Sequence, residues 1–215
     1  SAASDVYKRQ SLIYELSMNQ ISGGQPAKSA RWDQLFNNTN PVELEVGPGK
    51  GSFLLSAARQ NEDRNFFGVE FSRRRAYRIA ELIERYSLAN AIAVAADINC
   101  VIQHLVEASS VTTIHIYFPD PWWKRRHHRR RLFDAIFCNA LAKILLPGGK
   151  ILLATDVFTY FRQITGQLQK VRNLSQFEWQ RDQKDQRGNL LLTDFERQFL
   201  QEGRPINYAG FVKEQ

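Results

Sequence analysis

Residues 42–60 read VELEVGPGKGSFLLSAARQ, a short β-rich run, a turn with three glycines and a helix-like segment. Gly47, Gly49 and Gly51 interrupt regular structure, and glycine can adopt positive φ and bring the backbone close to a ligand. In an open α/β sheet the ligand binds beyond the carboxyl ends of the strands. We therefore interpret this stretch as a first strand, a ligand-binding turn and a first helix.

The same alternation of strand and helix continues along the chain. Further strands are predicted at 66–71, 91–96, 112–118 and 150–155, and helices at 73–88, 98–108, 132–145 and 157–171. Strands separated by helices form βαβ units, which predicts one α/β domain with a Rossmann-like, mostly parallel, doubly wound sheet. The segments FEW, NLLLTDFE and INYAGF have a different rhythm and are predicted to form an antiparallel C-terminal edge.

Charge is concentrated in one segment of the chain. The 215 residues include 29 Lys and Arg and 22 Asp and Glu, for a net charge of +7. The run KRRHHRRR at 124–131 contains six cationic residues and no acid, which leaves +1 on the rest of the chain. So focused a basic segment indicates a polyanionic partner.

Several classes of protein are excluded by composition. Two cysteines without a CxxC pair, Cys100 and Cys138, predict free thiols in the reducing cytoplasm rather than a disulfide framework or a zinc site. We predict no metal, and no membrane helix because no stretch approaches about 20 apolar residues. Residues 1–31 are treated as an N-terminal segment, partly non-native and flexible, and residues 32–215 as the domain.

Each of the five predicted strands ends close to an acid. These acids are Glu45, Glu70, Asp97, Asp120 and Asp156. A single acid there is easily a helix N-cap or a solvated turn residue. Five of them at one edge of a sheet indicate a binding site.

The spacing of glycines and acids favours S-adenosylmethionine over NAD. Ser52 occupies the position of the third glycine in the dinucleotide fingerprint G-x-G-x-x-G. A cationic sulfonium with an amino-acid head favours a nearby carboxylate such as Glu45, and Glu70 follows at close to the spacing of a ribose-binding acid. Asp97 is then placed to accept a hydrogen bond from the adenine amino group.

The segment FPDPWW at 118–123 ends the fourth strand, directly before the basic run. Its two prolines hold Asp120 in a fixed, non-helical backbone. Trp122 and Trp123 offer faces on which a nucleobase can stack. The alternative is that both tryptophans belong to the core and that Asp120 caps the next helix.

Five motifs follow one another along residues 32–211: EVGPGKGSF, FFGVE, FPDPWWKRRHHRRRL, ATD and TDFE. Together they closely resemble the tRNA (guanine-N7-)-methyltransferases of the TrmB type. The block F-P-D-P-W-x-K-x-R-H-x-x-R-R is specific to that family, whereas the glycine turn is shared by methyltransferases in general. Trp123 and the pair His128-Arg129 depart from the family pattern, which leaves the docking of the RNA open.

The resemblance implies an S-adenosylmethionine-dependent methyltransferase domain and its site residues. It implies cofactor contacts at Glu45, Gly47, Gly49, Gly51, Glu70, Asp97 and Asp120, of which Asp120 is also the catalytic residue. It implies substrate or RNA contacts at Lys124, Arg126, His127, His128, Arg129, Arg130, Arg131, Asp156, Thr193, Asp194, Phe195 and Glu196.

The reaction implied by the resemblance transfers a methyl group to N7 of a guanine in tRNA, the guanosine of the variable loop. Guanine N7 has a lone pair and no proton, so positioning rather than a general base is the main demand. We expect Asp120 to stabilise the charge that develops on the base or to hold the guanine edge. Part of the TDFE segment is equally well explained as a capping box of Thr193 and Glu196.

Two other functions stay open. A methyltransferase of exocyclic base nitrogens uses a similar Asp-Pro motif, although residues 120–122 lack its second proline. A non-catalytic RNA-binding protein would share the basic run but would not need Glu45, Glu70 and Asp97 together. The arginines within 73–78 either extend the RNA surface or face solvent, and the protein is expected to be a monomer or a homodimer.

Overall fold

The computed structural model describes residues 31–120, 132–185 and 187–215. The predicted stacking tryptophans Trp122 and Trp123 lie outside the described residues. The same is true of Lys124 and of the basic residues Arg126, His127, His128, Arg129, Arg130 and Arg131.

The described chain alternates strands and helices, as predicted. The elements are α1 Trp32–Phe36, β1 Val42–Val46, α2 Ser52–Gln60, β2 Asn65–Glu70, α3 Arg73–Arg85, β3 Ala91–Ala95, α4 Ile98–His104, β4 Val111–Tyr117, α5 Ala135–Ile144, β5 Leu145–Thr155, α6 Phe158–Leu168, β6 Leu174–Phe177, α7 Asp194–Gln201 and β7 Asn207–Lys213. Strand β5 begins five residues before the predicted start at 150.

All seven of these strands form one sheet in the order β3-β2-β1-β4-β5-β7-β6. Strands β1 to β5 pair in parallel, and β7 is antiparallel to both β5 and β6. The predicted parallel sheet with an antiparallel C-terminal edge is confirmed. The chain runs outward from β1 to β3 and then returns to β4, so the order reverses between β1 and β4. This reversal is where ligands bind in open α/β sheets.

Helices cover both faces of the sheet. One apolar cluster includes side chains of α2 and α3, and a second includes side chains of α1, α4, α5 and α6. In α3 the buried residues are Ala76, Ile79, Ala80 and Ile83, spaced by three and four as expected for a helix that buries one stripe. All five residues of β1 are buried, and two of them are glutamates.

The C-terminal tail differs from its prediction in one segment. The strand predicted in NLLLTDFE, residues 189–196, is wrong, because Leu190 forms only an isolated bridge with Lys184 and Thr193 caps α7. A capping box satisfies free N–H groups at the start of a helix. The hydrogen bonds between Thr193 and Glu196 therefore start a helix at the place where a strand was predicted. Of the segment FEW, only Phe177 belongs to β6. The segment INYAGF lies largely in β7, which is placed between β5 and the edge strand β6.

Candidate active site

The glycine turn after β1 has the conformation that its composition predicts. Gly47, Gly49 and Gly51 have φ values of 68°, 62° and 83°. A Cβ added at Gly47 would meet no atom within 4 Å, and one at Gly49 would find its nearest atom 4.0 Å away. A Cβ at Gly51 would lie 2.9 Å from Cγ1 of Ile79 in α3. The first two glycines therefore leave open space above the turn, while the third allows close packing of α3.

Glu70 connects this turn to the end of β2. Its carboxylate is buried, and it accepts hydrogen bonds from the N–H of Gly49 at 3.0 Å and the N–H of Ser72 at 2.8 Å. The Arg75 guanidinium pairs with the same carboxylate at 3.0 Å. These donors fix the predicted ribose-binding acid against the glycine turn.

Glu45 is the least satisfied acid of the site. It is 3% exposed, and its Oε2 finds no hydrogen-bond partner in the part of the chain that the structure describes. Burial raises the pKa of Glu45 to about 8, a rise that Arg181 opposes and the carboxylates of Glu196 and Glu70 reinforce. A buried acceptor without a partner is costly, so it indicates a ligand.

The other predicted acids lie at the same edge of the sheet but are more accessible. Asp97 is exposed and caps α4 by accepting from the N–H of Asn99 at 2.8 Å. Asp120 is exposed, two residues beyond Phe118, whose φ of 51° is unusual for a residue before proline. Asp156 pairs with Arg204 and is mostly buried.

The TDFE segment has a double role in the structure. Thr193 and Glu196 form a capping box at the start of α7, the alternative that the sequence left open. Glu196 is fully buried, so it stands behind the accessible surface. Burial acts to raise the pKa of Asp194, but Arg197 and the side chain of Ser52 at the start of α2 outweigh it and hold that pKa below its usual value. The segment therefore lies near the start of α2, which follows the glycine turn.

Phe195 of the same segment belongs to an aromatic cluster beside the predicted catalytic loop. Its ring is 5.9 Å from that of Phe199 and 5.8 Å from that of Phe118, between centroids. Phe118 and Phe199 are 5.4 Å apart. Phe195 is 54% exposed, so one aromatic side chain of the cluster is available to a ligand.

A chain of buried polar side chains beneath the site was missed by the sequence analysis. Arg181 binds Glu196 and the hydroxyl of Tyr117, and Tyr117 contacts His115, which contacts Glu43. A signal was available in part, because Glu43 and Glu45 alternate in VELEV while His115 and Tyr117 alternate in TTIHIYF. Polar residues two apart on neighbouring buried strands must find partners within the protein.

Among the residues that the structure describes, no group of three His, Cys, Asp or Glu side chains could hold a metal ion. No described helix is long and apolar enough to cross a membrane.

The chain is similar in sequence to known methyltransferases. The model of a family described as "Putative methyltransferase" matches residues 39–209. A tRNA (guanine-N(7)-)-methyltransferase of Buchnera aphidicola subsp. Baizongia pistaciae is 33% identical over 172 residues, 80% of this chain and 71% of that protein. The protein of the same name from Oceanobacillus iheyensis is 31% identical over 184 residues and 84% of each chain.

Solved structures share the architecture at low sequence identity. The aminoglycoside resistance methyltransferase NpmB1 matches with a TM-score of 0.59 and 15% identity, covering 84% of this chain and 91% of that one. This similarity is one of fold, and it supports the Rossmann-like methyltransferase architecture.

Proposed function

The chain belongs to the tRNA (guanine-N(7)-)-methyltransferase family, and on that basis we propose how its residues divide between cofactor and substrate. The protein is an S-adenosylmethionine-dependent enzyme that methylates N7 of a guanine in tRNA. We assign the cofactor to the glycine turn, to Glu45 in β1, to Glu70 at the end of β2 and to Asp97 after β3. The target guanine and its RNA are assigned to Asp120, Asp156, the accessible residues Thr193, Asp194 and Phe195 of the TDFE segment and the basic run at 124–131, whereas the buried Glu196 supports that segment from behind.

The orphaned oxygen of Glu45 beside an open glycine turn is the observation that supports this assignment best. A cationic ligand would be a partner for the oxygen of Glu45 that has none among the described residues. The open space at Gly47 and Gly49 allows a ligand to approach the backbone closely. The residues present therefore fit S-adenosylmethionine. Bound there, the cofactor supplies an electrophilic methyl group on a positively charged sulfur.

The remaining cofactor contacts follow from the positions of the acids. Glu70 would hold the ribose with a carboxylate already oriented by Gly49, Ser72 and Arg75. Asp97 is exposed at the end of β3 and would accept from the adenine amino group. Gly51 contributes by letting α3 pack against the turn.

Asp120 is proposed to hold and stabilise the guanine. Methylation leaves a positive charge on the imidazole part of the base, and a carboxylate beside it lowers the energy of that charge. The left-handed backbone at Phe118 redirects the chain as it leaves β4, which sets the direction of the loop that contains Asp120. No proton has to be removed from N7, so Asp120 acts by position and charge.

The aromatic cluster of Phe118, Phe195 and Phe199 is proposed to stack the target base. Phe195 is exposed, and Asp194 next to it lies near Ser52, the residue that follows the glycine turn. A base stacked on Phe195 would therefore lie next to the cofactor. Stacking of a base on an aromatic ring is worth about 1–3 kcal/mol.

The RNA beyond the target base is assigned to Lys124 and the basic residues at 126–131. Phosphate contacts of this kind supply affinity that falls steeply with salt, whereas they read little sequence. We further propose that the target is the variable-loop guanosine, that the enzyme works in the cytoplasm, and that it acts as a monomer or a homodimer. Residues 32–215 are proposed to form the methyltransferase domain.

Transfer of a labelled methyl group to unmodified tRNA, followed by nucleoside digestion and mass spectrometry, tests the activity. We expect 7-methylguanosine at one position, and mapping the fragment locates it. Label on an exocyclic nitrogen would contradict N7 methylation but would still support S-adenosylmethionine as the methyl donor. Tight, salt-sensitive tRNA binding without transfer would favour the non-catalytic RNA-binding alternative.

A further inference from the structure

Arg181 is a buried cation to which the proposed reaction gives no role. It belongs to the segment that connects β6 to α7, and its side chain is 2% exposed. It donates to Glu196 through Nε at 3.0 Å and Nη2 at 2.9 Å, and to the Tyr117 hydroxyl through Nη1 at 2.8 Å. The guanidinium carbon lies 4.0 Å from the centre of the Tyr117 ring. The two bonds to Glu196 and the third bond to Tyr117 together hold the guanidinium group in one orientation.

Glu196 connects Arg181 to the first turn of α7 through hydrogen bonds with Thr193. Its Oε2 accepts from the N–H of Thr193 at 2.9 Å, and the Thr193 hydroxyl accepts from the N–H of Glu196 at 3.1 Å. Asp194, between them, lies near Ser52 at the start of α2, which helps to lower its pKa. Arg181 therefore fixes the conformation of the substrate segment through Glu196.

The charge of Arg181 also acts on Glu45 and lowers its pKa. The other groups that act on the pKa of one or the other member of the Glu45–Tyr117 pair are Glu70 from β2, Glu196 from α7 and the Leu54 N–H from α2. The two carboxylates and the loss of water oppose the ionised form of Glu45, whereas the guanidinium and the N–H favour it. A cationic ligand binds the ionised form, so the charge of Arg181 prepares Glu45 for that ligand.

We propose that Arg181 is a positioning residue of the methyltransferase site, which orients the Thr193–Asp194 turn through Glu196 and supplies the positive charge that Glu45 requires to receive a cationic cofactor. This inference rests on the proposed contact between Glu45 and S-adenosylmethionine. It assigns Arg181 no contact with the reacting atoms.

Arg64 provides a control near the amino ends of the parallel strands, with a side chain that is 46% exposed where that of Arg181 is 2% exposed. Its Nη1 donates to Glu43 at 2.7 Å, and Glu43 is 2% exposed, so this pair also joins an arginine to a buried glutamate. Glu43 contacts His115 at 2.6 Å, and His115 contacts Tyr117 at 2.7 Å. The two arginines thus stand at opposite ends of one buried chain of polar contacts, and Arg181 is the one that lowers the pKa of Glu45.

The test compares Arg181→Met with Arg64→Met by calorimetric titration of S-adenosylmethionine between about pH 6 and pH 9.5, a range chosen to bracket the pKa of Glu45. Wild-type affinity should rise with pH and level off once Glu45 is ionised. In Arg181→Met the midpoint of that rise should move upward by about one pH unit or more, because the cation that favours the ionised form is gone. Arg64→Met should keep the wild-type midpoint, although both variants lose thermal stability.

An Arg181→Met midpoint equal to that of the wild type would overturn the proposal while leaving the cofactor site intact. Absence of saturable binding by the wild type would instead refute the cofactor site on which the proposal rests. If Arg181→Met does not fold, Arg181→Lys and Arg64→Lys replace the pair. Lysine keeps the charge but cannot form the two-pronged bond, so Arg181→Lys should raise the KM for tRNA about tenfold over Arg64→Lys. Equal KM values would overturn the proposal.

Discussion

Glu43 and Glu45 lie two residues apart on one face of β1 and are 2% and 3% exposed. Burial acts to raise the pKa of Glu43, but His115 and Arg64 outweigh it and hold that pKa below its usual value. Burial raises the pKa of Glu45 to about 8, since Arg181 offsets only part of the cost. The two carboxylates differ in their partners rather than in their depth.

The difference separates a structural end of the strand from a binding end. Toward the amino edge of the sheet, both oxygens of Glu43 have partners at 2.7 Å and 2.6 Å, so that acid completes its interactions within the protein. Toward the carboxyl edge, one oxygen of Glu45 has none among the described residues. A buried polar atom without a partner is costly in the free protein, which supports the proposed contact of Glu45 with a ligand.

The largest effect is expected at the carboxyl edge, where Asp120→Asn should lower kcat about 10²–10³-fold, as for loss of one electrostatic stabiliser of the transition state. Binding of S-adenosylmethionine should survive in part, because the other cofactor contacts remain. Methyl transfer to unmodified tRNA under single-turnover conditions measures the change. Asp63→Asn, an exposed acid before β2, is the matched control. Equal rates for Asp120→Asn and the control would remove Asp120 from the mechanism.

At the amino end of β1 the corresponding substitution, Glu43→Gln, should lower the stability of the protein. Glu43→Gln keeps the shape of the side chain but removes the anion from Arg64 and His115, so the free energy of unfolding should fall by about 1–3 kcal/mol. Glu45→Gln should cost less, because the group it replaces holds a proton in the free protein below about pH 8. Urea unfolding at pH 7 compares the two variants. A larger loss for Glu45→Gln would reverse the distinction drawn here.

The pH dependence of stability should show the same contrast. The folded pKa of Glu45 lies above its usual value, so between about pH 5 and pH 8 the folded state binds a proton that the unfolded state lacks. The contribution of Glu45 is therefore complete at low pH and is lost as the pH rises through 8. Wild-type stability should fall relative to Glu45→Gln by up to about 1.4 kcal/mol per pH unit across that range. Parallel pH profiles of the two proteins would show that Glu45 ionises normally.

The smallest effect distinguishes the two functions of the glycine turn. Both Gly51→Ala and Gly47→Ala place a side chain at positive φ, but only the Cβ at position 51 would meet Ile79 at 2.9 Å. Gly51→Ala should therefore be less stable than Gly47→Ala by about 1 kcal/mol or more. Thermal unfolding of both variants measures the difference. Equal stabilities would mean that α3 does not depend on close packing at Gly51.

The regular elements were predictable because their signals are local. Strand β1 and helix α2 have the bounds that the sequence indicates, since glycines mark the end of the strand and the start of the helix. The acids after the strands were found because parallel strands bring their carboxyl ends to one edge of the sheet. The glycine turn was found because three glycines in five residues serve a turn better than any regular element.

The polar chain beneath the site was not predictable in the same way. Arg181 lies 64 residues from Tyr117 along the chain, and its position is set by the packing of the C-terminal tail rather than by any local pattern. The strand predicted around Leu190 was wrong for a related reason, because the apolar run Leu190–Leu192 is followed at once by the helix cap at Thr193. Nothing in a local pattern ranks such competing polar bonds.

Binding of S-adenosylmethionine by Glu45 at the carboxyl end of β1 is tested by titrating the cofactor into Glu45→Gln and Glu43→Gln at about pH 8.5, above the pKa of Glu45. Loss of a hydrogen bond to a charged group predicts a Kd about 10- to 100-fold weaker for Glu45→Gln, whereas Glu43→Gln should bind like the wild type. Equal affinities of the two variants would contradict this role of Glu45.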